Sequence, residues 1–545
     1  MTDTKHLKKL VAFLIMKRSF LNLAMVAMLL MVSATALASP PPPVPFDYSA
    51  LYNECTYITL ASMSKANGID ISQDKPGYGA VNHWRIGNKR ADSVNPGTSA
   101  IAMIGLLYGY NRLVLSGEST PELDSRAKTS LRSFFWNWIA NTENQIIDGN
   151  GYVGFPYNNP IAMEYDTNGD IKRKGTTANA GTTSEIMMAM SHYIEHSPNN
   201  DGADYQSQMY DLALKMAQYV DHGNNLSSWT SDRSYAVAAF RAFAKWADAM
   251  GDVENASYYR NKADVIANWL KLARDSGTTS TNWINYFNYL DGNGKGVYDN
   301  ENADQTGFAP YEFNALDAVD SFAQQVGESW DHGMYKGTMY MTEQSGHYAG
   351  GVHQTTEHYS RVYPGPSFQL ADAEWKMGRI EEARWHYNAA MTPIGSTTGL
   401  GCRVADDEYD ADGFVGGFVD WVDVTTGERP TNYWERFVDT SAYMIIATEQ
   451  LFFNNEVDWS LAKDNLVSKA DKIFDWAEDN FPQFFPPPGA STQFFDPWLY
   501  RYYPTTNIYA GVNNSREVWV LGDVFGGLVY ISMVDELLDI ISSPQ

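Results

Sequence analysis

The chain has 545 residues, with 65 acidic and 39 basic side chains and a formal net charge of −26 at pH 7. This length suits one large domain with a small additional module. The negative charge argues against nucleic acids and anionic membranes as partners, because neither is drawn to a negative surface. Aromatic residues form 14% of the chain, which fits a sugar-binding cleft and an aromatic-rich core equally well.

Residues 1–38 have the pattern of a secretory signal peptide. A Met-Lys-Arg start at 16–18 leads into an apolar run over 20–32, and the small-residue cleavage pattern Ala-Leu-Ala follows at 36–38. The run is too short to span a membrane, and no later segment is apolar enough to do so. We therefore expect a secreted or periplasmic protein. Residues 39–45 are predicted to be a proline-rich spacer.

Hydrophobic periodicity predicts helices in pairs, with a buried helix followed by an amphipathic one. The clearest pair spans residues 231–275, where Gly251 ends the first helix and Asp252 caps the second. The joint at Met250-Gly251 recurs at Met377-Gly378, about two hairpins later along the chain. The other predicted helices span 100–115, 120–141, 183–196, 204–220, 311–326, 366–377, 380–391 and 433–453.

This inner–outer alternation predicts a mainly α fold, an (α/α)6 toroid of helical hairpins over residues 46–456. A tetratricopeptide array does not fit, because its repeat is about 34 residues. Four long segments rich in glycine or in polar turn residues are predicted to be loops, at 148–179, 278–309, 333–365 and 403–431. In a ring of hairpins such loops surround a central cavity, so we expect the functional residues there.

Residues 457–545 differ in character and predict a small α+β module. A helix over 466–481 is followed by short strands at 500–504, 508–512 and 518–522. The strings Arg-Tyr-Tyr-Pro and Val-Trp-Val-Leu-Gly resemble a module appended to many exported bacterial proteins. Its aromatic residues suit either core packing or glycan binding.

Cys55 and Cys402 are the two cysteines of the chain. Export makes a disulfide between them possible, and such a bond would tie the start of the folded domain to a point near its end. The alternative is two buried thiols.

Two carboxylates among aromatic residues are candidates for glycosidic bond cleavage, which needs one protonated and one ionised carboxyl group. Glu435 follows Trp434 at the start of the last predicted helix, and Glu312 follows Tyr311 at the start of another. Asp304 is the rival of Glu312. A first-turn glutamate favoured by the helix dipole is the alternative explanation for either glutamate. We expect Glu435 to act as general base and Glu312 or Asp304 as acid, with Trp434 and Tyr311 binding substrate.

A family resemblance lies in the string Trp-Ala-Asp-Ala-Met-Gly-Asp at 246–252, with Ala256 and Tyr259 after it. It is similar to a hairpin of six-hairpin glycosidases of the glucosidase and trehalase kind. That resemblance implies a toroidal glycoside hydrolase acting on a poly- or oligosaccharide, with a catalytic carboxylate shortly before the final helix, which Glu435 matches. Their aromatic-Asp-Phe-Ser acid motif is absent here, so the resemblance does not assign the acid.

Two other functions stay open at this point. A polysaccharide lyase needs a Tyr or His base and a group that neutralises a uronate carboxylate. A cluster of residues offers these groups and is also a candidate substrate-binding set, namely His347, Tyr348, His353, His358, Tyr359 and Arg361. The second alternative is a non-catalytic helical scaffold that binds glycan or protein, in which the named carboxylates would not converge.

No cofactor, zinc site, nucleotide site or phosphate loop is predicted from the sequence. Oxygen-rich segments at 166–170, 291–294 and 406–413 are compatible with structural calcium. None completes the EF-hand spacing, and ordinary Asn-Gly and Asp-Gly turns explain these segments.

Overall fold

The structure is a computed structural model that describes most of residues 48–453 and four strands near the C terminus. The described residues are 48–64, 71–83, 85–86, 89–90, 93–157, 162–198, 201–227, 229–277, 287–290, 296–298, 309–315, 342–353, 360–376, 379–404, 416–429, 436–453, 499–503, 508–512, 518–520 and 529–530. The chain divides into two compact units, the larger of which is Phe46–Asn455.

Eleven α-helices lie within the described part of the chain. They are α1 (Tyr48–Ala61), α2 (Pro96–Ser116), α3 (Pro121–Arg132), α4 (Ala180–His196), α5 (Gly202–Asp221), α6 (Thr230–Ala249), α7 (Val253–Gly277), α8 (Ala309–Glu312), α9 (Pro364–Lys376), α10 (Ile380–Met391) and α11 (Val438–Thr448). Two of them continue as π-helical turns, α3 through Ser133–Trp138 and α11 through Glu449–Phe453.

The larger unit also contains short antiparallel strands. They are β1 (Arg85–Ile86), β2 (Lys89–Arg90), β3 (Ser93–Val94), β4 (Ile146–Ile147), β5 (Val153–Pro156), β6 (Met163–Tyr165), β7 (Ile171–Lys174), β8 (Ala178–Asn179), β9 (Phe287–Leu290), β10 (Gly296–Tyr298), β11 (Arg361–Val362) and β12 (Val422–Asp423). They pair as β1-β2, β3-β6-β7, β4-β5-β8, β9-β10 and β11-β12.

Six helices contact one another in a closed cycle. Helix α2 packs on α4, α4 on α6, α6 on α8, α8 on α9, α9 on α11, and α11 returns to α2. The returning contact is close, because a Cβ built on Gly105 of α2 would lie 2.7 Å from the Cα of Ala442 in α11. These helices therefore form the inner wall of a closed ring.

A second set of helices covers this wall from outside. Within the described residues, α3 packs on α2, α5 on α4, α7 on α6, α10 on α9 and α1 on α11. Each outer helix directly follows its inner partner in sequence, except that α1 precedes the ring and pairs with its last helix. A closed ring with inner and outer helices in alternation confirms the predicted (α/α)6 toroid.

The predicted hairpin over 231–275 is confirmed as α6 and α7. Gly251 takes the left-handed conformation with φ of 77°, which releases the chain from α6. The Asp252 carboxylate then accepts a hydrogen bond from the Asn255 backbone N–H at 3.1 Å and caps α7. The apolar stripe of α7 turns inward, since Ala256, Tyr259 and Ala263 are buried. Helix α7 is thus an outer helix, as predicted.

The segment 148–179 departs from the prediction, because it forms strands β5 to β8 rather than irregular loop. Val153, Phe155 and Met163 anchor these strands in the core. Tyr165 receives a hydrogen bond from Trp138 Nε1 and donates one to Asn144 Oδ1, both at 3.0 Å. Short strands of two to four residues leave too little periodicity to be seen in the sequence.

The acidic segment 166–170 folds as a turn. Asp166 Oδ1 accepts backbone hydrogen bonds from Asn168 and Asp170 at 2.8 and 3.0 Å, and Gly169 has a φ of 85°. Lys75 Nζ contacts the Asp170 carboxylate at 2.9 Å. The candidate calcium segments at 291–294 and 406–413 lie outside the described residues.

Cys55 and Cys402 are separate buried thiols, so the disulfide expected from export is wrong. Cys55 lies on α1 and faces α2, where a Cβ built on Gly109 would lie 2.4 Å from its Sγ. Cys402 belongs to a different apolar cluster with Leu400 and Val419. Burial of each thiol in its own cluster keeps the two sulfurs apart.

The smaller unit contains a four-stranded antiparallel sheet. Its strands β13 (Leu499–Tyr503), β14 (Ile508–Val512), β15 (Val518–Val520) and β16 (Val529–Tyr530) pair in chain order. The three strands predicted at 500–522 are present, while the helix predicted at 466–481, the signal peptide and the spacer lie outside the described residues. None of the described helices has the length and hydropathy needed to cross a membrane.

Candidate active site

Three carboxyl groups lie near one another at the end of the ring where the inner helices begin, and a fourth, Glu312, shares a neighbour with two of them. Asp232 lies in the first turn of α6, Asp439 in the first turn of α11 and Glu185 in the second turn of α4. The charges of Asp232 and Asp439 both act on Glu185, and those of Glu185, Asp439 and Glu312 all act on Tyr443 of α11. These acids therefore share the lumen of the ring.

Glu185 is seated on the first turn of the neighbouring helix α2. A Cβ built on Gly97 would lie 2.0 Å from Glu185 Oε2, so only glycine leaves room for this carboxyl group. The helix N terminus favours a negative charge there by up to about 2 kcal/mol. Burial and the charges of Asp232 and Asp439 outweigh that effect and raise the pKa of Glu185 from 4.5 to about 8. Glu185 is consequently protonated at neutral pH.

Asp232 occupies the equivalent position on the first turn of α4. A Cβ built on Gly181 would lie 2.2 Å from Asp232 Oδ1. The Ser227 hydroxyl donates to Asp232 Oδ2 at 2.6 Å. Burial raises the pKa of Asp232, while the hydrogen bond from Ser227, the charge of Arg233 and a hydrogen bond from Asn179 oppose the rise. Asp232 thus has partners that stabilise its ionised form, whereas the causes that shift the pKa of Glu185 all raise it.

A repeated feature of the inner helices makes this seating possible. Glycine is the second residue of α2, α4 and α9. In α9 this residue is Gly365, and a Cβ built on it would lie 3.2 Å from Thr440 Oγ1 of α11. In each case a polar side chain from the next helix of the ring fills the space beside the helix start. The glycines therefore let side chains enter the lumen between neighbouring inner helices.

Asp439 of α11 is the third member of the carboxylate cluster, and α11 packs on α2, whose first turn Glu185 contacts. Its side chain accepts a hydrogen bond from the Thr440 backbone N–H at 2.9 Å. Burial raises the pKa of Asp439, and the positive charge of His83 opposes the rise. His83 is held nearby, because its carbonyl accepts the Val438 N–H at 3.2 Å and its ring packs edge-on against Phe437 at 4.8 Å.

Glu312 is the one predicted catalytic residue among the described residues, and its side chain is only 5% exposed. Its carboxylate accepts a hydrogen bond from Gln369 Nε2 of α9 at 3.2 Å. Its backbone carbonyl accepts a hydrogen bond from Lys376, which also contacts Asp372 at 2.7 Å. Glu312 therefore lies deeper in the wall than Glu185 or Asp232, which are half-buried.

Two exposed aromatic side chains stand beside the Glu185–Asp232 pair. Tyr157 follows β5 and is 42% exposed, and the charges of Asp232 and Glu185 together with burial raise its pKa. Trp229 caps α6, is 38% exposed, and donates its backbone N–H to Ser227 Oγ at 3.1 Å. Flat aromatic faces next to carboxyl groups suit the binding of a sugar ring.

The remaining predicted site residues are only partly described. Glu435, Trp434, Asp304, His358 and Tyr359 lie outside the described residues. Tyr311 is buried beside Glu312.

Four others lie in a different part of the larger unit. His347 is exposed and its ring lies 4.4 Å from that of Tyr348, which packs on the cluster around Cys402. Arg361 lies over the Trp421 ring at 3.8 Å. His353 donates from Nδ1 to the Arg361 carbonyl at 2.8 Å. Tyr348, Arg361 and His353 therefore have packing or hydrogen-bond contacts around strand β11.

Sequence reasoning missed Glu185 and Asp232. Both lie near helix starts, where a polar or acidic residue is ordinarily explained by the helix dipole or a cap. The sequence feature that could have indicated them is a glycine at the second position of two apolar helices, Gly97 and Gly181. Glycine does not cap a helix at this position, so its presence there indicates that another group approaches the backbone closely.

The fold defines the class of molecule, an (α/α)6 toroid, in which neighbouring carboxyl groups lie near the start of the inner helices. No family model matches the sequence, and no curated protein matches it. Similar solved structures include a sugar epimerase from a ruminal bacterium, with 13% identity, a TM-score of 0.45 and coverage of 74% of this chain and 98% of that one. A bacterial glucoamylase complexed with acarbose has 12% identity, a TM-score of 0.45 and coverage of 74% and 55%. Cellobiose 2-epimerase from Bacillus thermoamylovorans B4167 has 10% identity, a TM-score of 0.43 and coverage of 74% and 99%.

Proposed function

We propose that the protein is an exported carbohydrate-active enzyme, a glycoside hydrolase that uses Glu185 as general acid and Asp232 as its ionised partner. The observation that carries this proposal is the pairing of unequal carboxyl groups in one cavity. Glu185, with a pKa of about 8, holds a proton at neutral pH. Asp232 has hydrogen-bond donors that stabilise its negative charge. Pairs of acids whose environments separate their pKa values provide acid and base for the same reaction.

The chemistry follows from these two states. Glu185 donates its proton to the glycosidic oxygen as the bond to the leaving sugar breaks. Asp232 then acts on the anomeric carbon, directly or through a water molecule. A carboxyl separation of about 5–5.5 Å favours the direct route with retention, and one of roughly 6.5–9.5 Å favours the water route with inversion.

A neutral glycan is the substrate that this cavity favours. Asp232, whose hydrogen-bond donors stabilise its negative charge, lies beside Glu185 and would repel a uronate carboxylate bound there. Tyr157 beside these acids and the exposed Trp229 at the start of α6 offer aromatic faces for uncharged sugar rings. Among the described residues of the lyase alternative, Tyr348 and Arg361 have packing contacts, with the cluster around Cys402 and with Trp421, while His358 and Tyr359 lie outside the described residues. The convergence of acids also argues against a non-catalytic scaffold.

Glu435 remains the alternative base. It precedes α11 by three residues in the sequence, and α11 brings Asp439 into the acid cluster. If Glu435 is the base, Glu185 still supplies the proton and Asp232 positions the substrate. Glu312, buried and hydrogen-bonded to Gln369, supports the cavity wall rather than donating the proton. Asp304 keeps its predicted role as an alternative acid.

The test is an activity screen with matched variants. Purified mature protein is incubated with neutral and uronate-containing glycans, and reducing ends and the absorbance of unsaturated products are followed together. We expect reducing ends without unsaturated products. Glu185→Gln and Asp232→Asn should each lower kcat by about 10²–10⁴-fold, while the exposed control Glu143→Gln should retain activity. Full activity in Glu185→Gln, or unsaturated products from wild type, contradicts the proposal. A large loss in Glu435→Gln with little loss in Asp232→Asn transfers the base role to Glu435.

Export is part of the same proposal and has a separate test. Expression of the full chain in a bacterium should yield a protein in the periplasm or medium whose N terminus is Ser39, by mass spectrometry. Retention of an uncleaved N terminus in the cytoplasm would contradict it. A substitution that places an arginine in the apolar run over 20–32 should block export.

A further inference from the structure

A second cluster of reactive side chains lies near the C-terminal end of inner helix α4, away from the acid cluster. His192, Glu195 and His196 occupy positions i, i+3 and i+4, which bring them to one face of the helix. One ligand atom from each lies within 4.8 Å of the other two. Seven residues separate His192 from Glu185, which is about 10 Å along the helix axis. The cluster is therefore distinct from the candidate active site.

The neighbouring helix α2 holds the first histidine in a defined orientation. The Tyr108 hydroxyl lies 2.9 Å from His192 Nδ1. The Tyr108 ring also packs edge-on against His192 at 5.4 Å and against His196 at 5.3 Å. Histidines that bind metals commonly have one ring nitrogen held by such a partner, which directs the other nitrogen to the ion. Here that other nitrogen is Nε2.

The helix end itself is fixed and favours a cation. His196 is the last residue of α4, and its carbonyl accepts a hydrogen bond from Asn111 Nδ2 of α2 at 2.8 Å. The carbonyl end of a helix carries partial negative charge, which attracts a cation. The nearby Lys376 is already engaged by Asp372 at 2.7 Å, so its charge is largely balanced.

We propose that His192, Glu195 and His196 bind one divalent transition-metal ion of the Zn²⁺ class. Two imidazoles at i and i+4 with one carboxylate match the ligands that Zn²⁺, Co²⁺ and Ni²⁺ take from proteins, and water completes the coordination. Tetrahedral Zn–N bonds of about 2.0–2.1 Å place two ligand atoms ~3.3 Å apart. Small side-chain rotations of the exposed Glu195 and the half-buried His196 reach that spacing. The ion clamps the end of α4 and plays no part in sugar cleavage.

The test uses the mature, tag-free protein stripped with chelator and titrated with Co²⁺, then with Zn²⁺. We expect one equivalent of Co²⁺ to give visible absorption bands, Zn²⁺ to displace it, and Zn²⁺ to raise the Tm. His192→Ala and His196→Ala should each weaken binding at least tenfold. Tyr108→Phe, which keeps the ring and removes the hydroxyl, should weaken it about tenfold.

The matched control is His222→Ala, which removes a histidine at the end of α5 that contacts Asn150. It should leave the Co²⁺ spectrum and affinity unchanged. Absence of a one-equivalent spectrum in wild type overturns the proposal, as does unchanged binding in both His192→Ala and His196→Ala. Glycan cleavage by the stripped protein should equal that of the zinc-loaded protein, so failure here is separable from failure of the proposed function.

Discussion

Replacing Glu185 with glutamine should stabilise the protein at alkaline pH. A pKa raised from 4.5 to about 8 means that the folded protein retains a proton which the unfolded chain releases between those pH values. The folded state binds more protons in this window, so the free energy of unfolding falls as the pH rises from 4.5 to about 8. At about 1.4 kcal/mol per pKa unit, the full cost above pH 8 is ~5 kcal/mol. Solvent screening of this partly exposed side chain lowers the cost, so the expected range is ~2–5 kcal/mol, with the unscreened value as its upper limit.

Glutamine keeps the shape of the protonated side chain and cannot ionise, so Glu185→Gln removes this cost. With about 2.1 cal/mol/K of unfolding entropy per residue, a toroid of ~400 residues gains about 1 °C in Tm per kcal/mol. We expect the variant to melt ~2–6 °C higher than wild type at pH 8.5–9 and at the same temperature at pH 4.5. Thermal unfolding by circular dichroism across this range measures both. The exposed Glu143→Gln control should follow wild type. Parallel Tm–pH profiles for wild type and Glu185→Gln would refute the assignment of a raised pKa.

Three further outcomes test other parts of the site. The kcat/KM of wild type should fall as the pH rises through about 8, because the general acid Glu185 then loses its proton, and a flat alkaline limb would contradict this assignment. Gly97→Ala should reduce kcat at least tenfold, since its Cβ would lie 2.0 Å from Glu185 Oε2, whereas Gly149→Ala, where nothing lies within 4 Å, should match wild type. Thiol titration should find no reactive cysteine in the native protein and two per chain after unfolding; none after unfolding would mean that Cys55 and Cys402 pair.

The sequence was sufficient to predict the ring, because long helices repeat their apolar positions many times. The hairpin over 231–275 is an example, with Gly251 and Asp252 performing the predicted roles at the joint. Strands β5 to β8 were not predictable in the same way, since two to four residues give no usable period. Tertiary contacts with Trp138 and Asn144, distant from the strands in sequence, stabilise them instead.

The site was less predictable than the ring because its members lie on different helices. Glu312 was recognised from its aromatic neighbours, yet it is buried in the wall against Gln369. Glu185 and Asp232 carry no local motif, and what distinguishes them is the space left by Gly97 and Gly181 on other helices. Burial and the charges of Asp232 and Asp439 raise the pKa of Glu185, and the packing of α6 and α11 in the ring places those two acids near it.

The pairing of the first helix with the last one has a consequence for biosynthesis. Glu54 of α1 is buried and accepts hydrogen bonds from Ser441 Oγ at 2.6 Å and from the Gly417 N–H at 2.8 Å, partners 387 and 363 residues later. In a nascent chain emerging from the ribosome or translocon, Glu54 lacks these two hydrogen-bond donors until synthesis is nearly complete. The pairing of α1 with α11 must therefore form late, after the whole larger unit has been synthesised. Prematurely terminated chains would leave α1 without this partner and exposed to proteases.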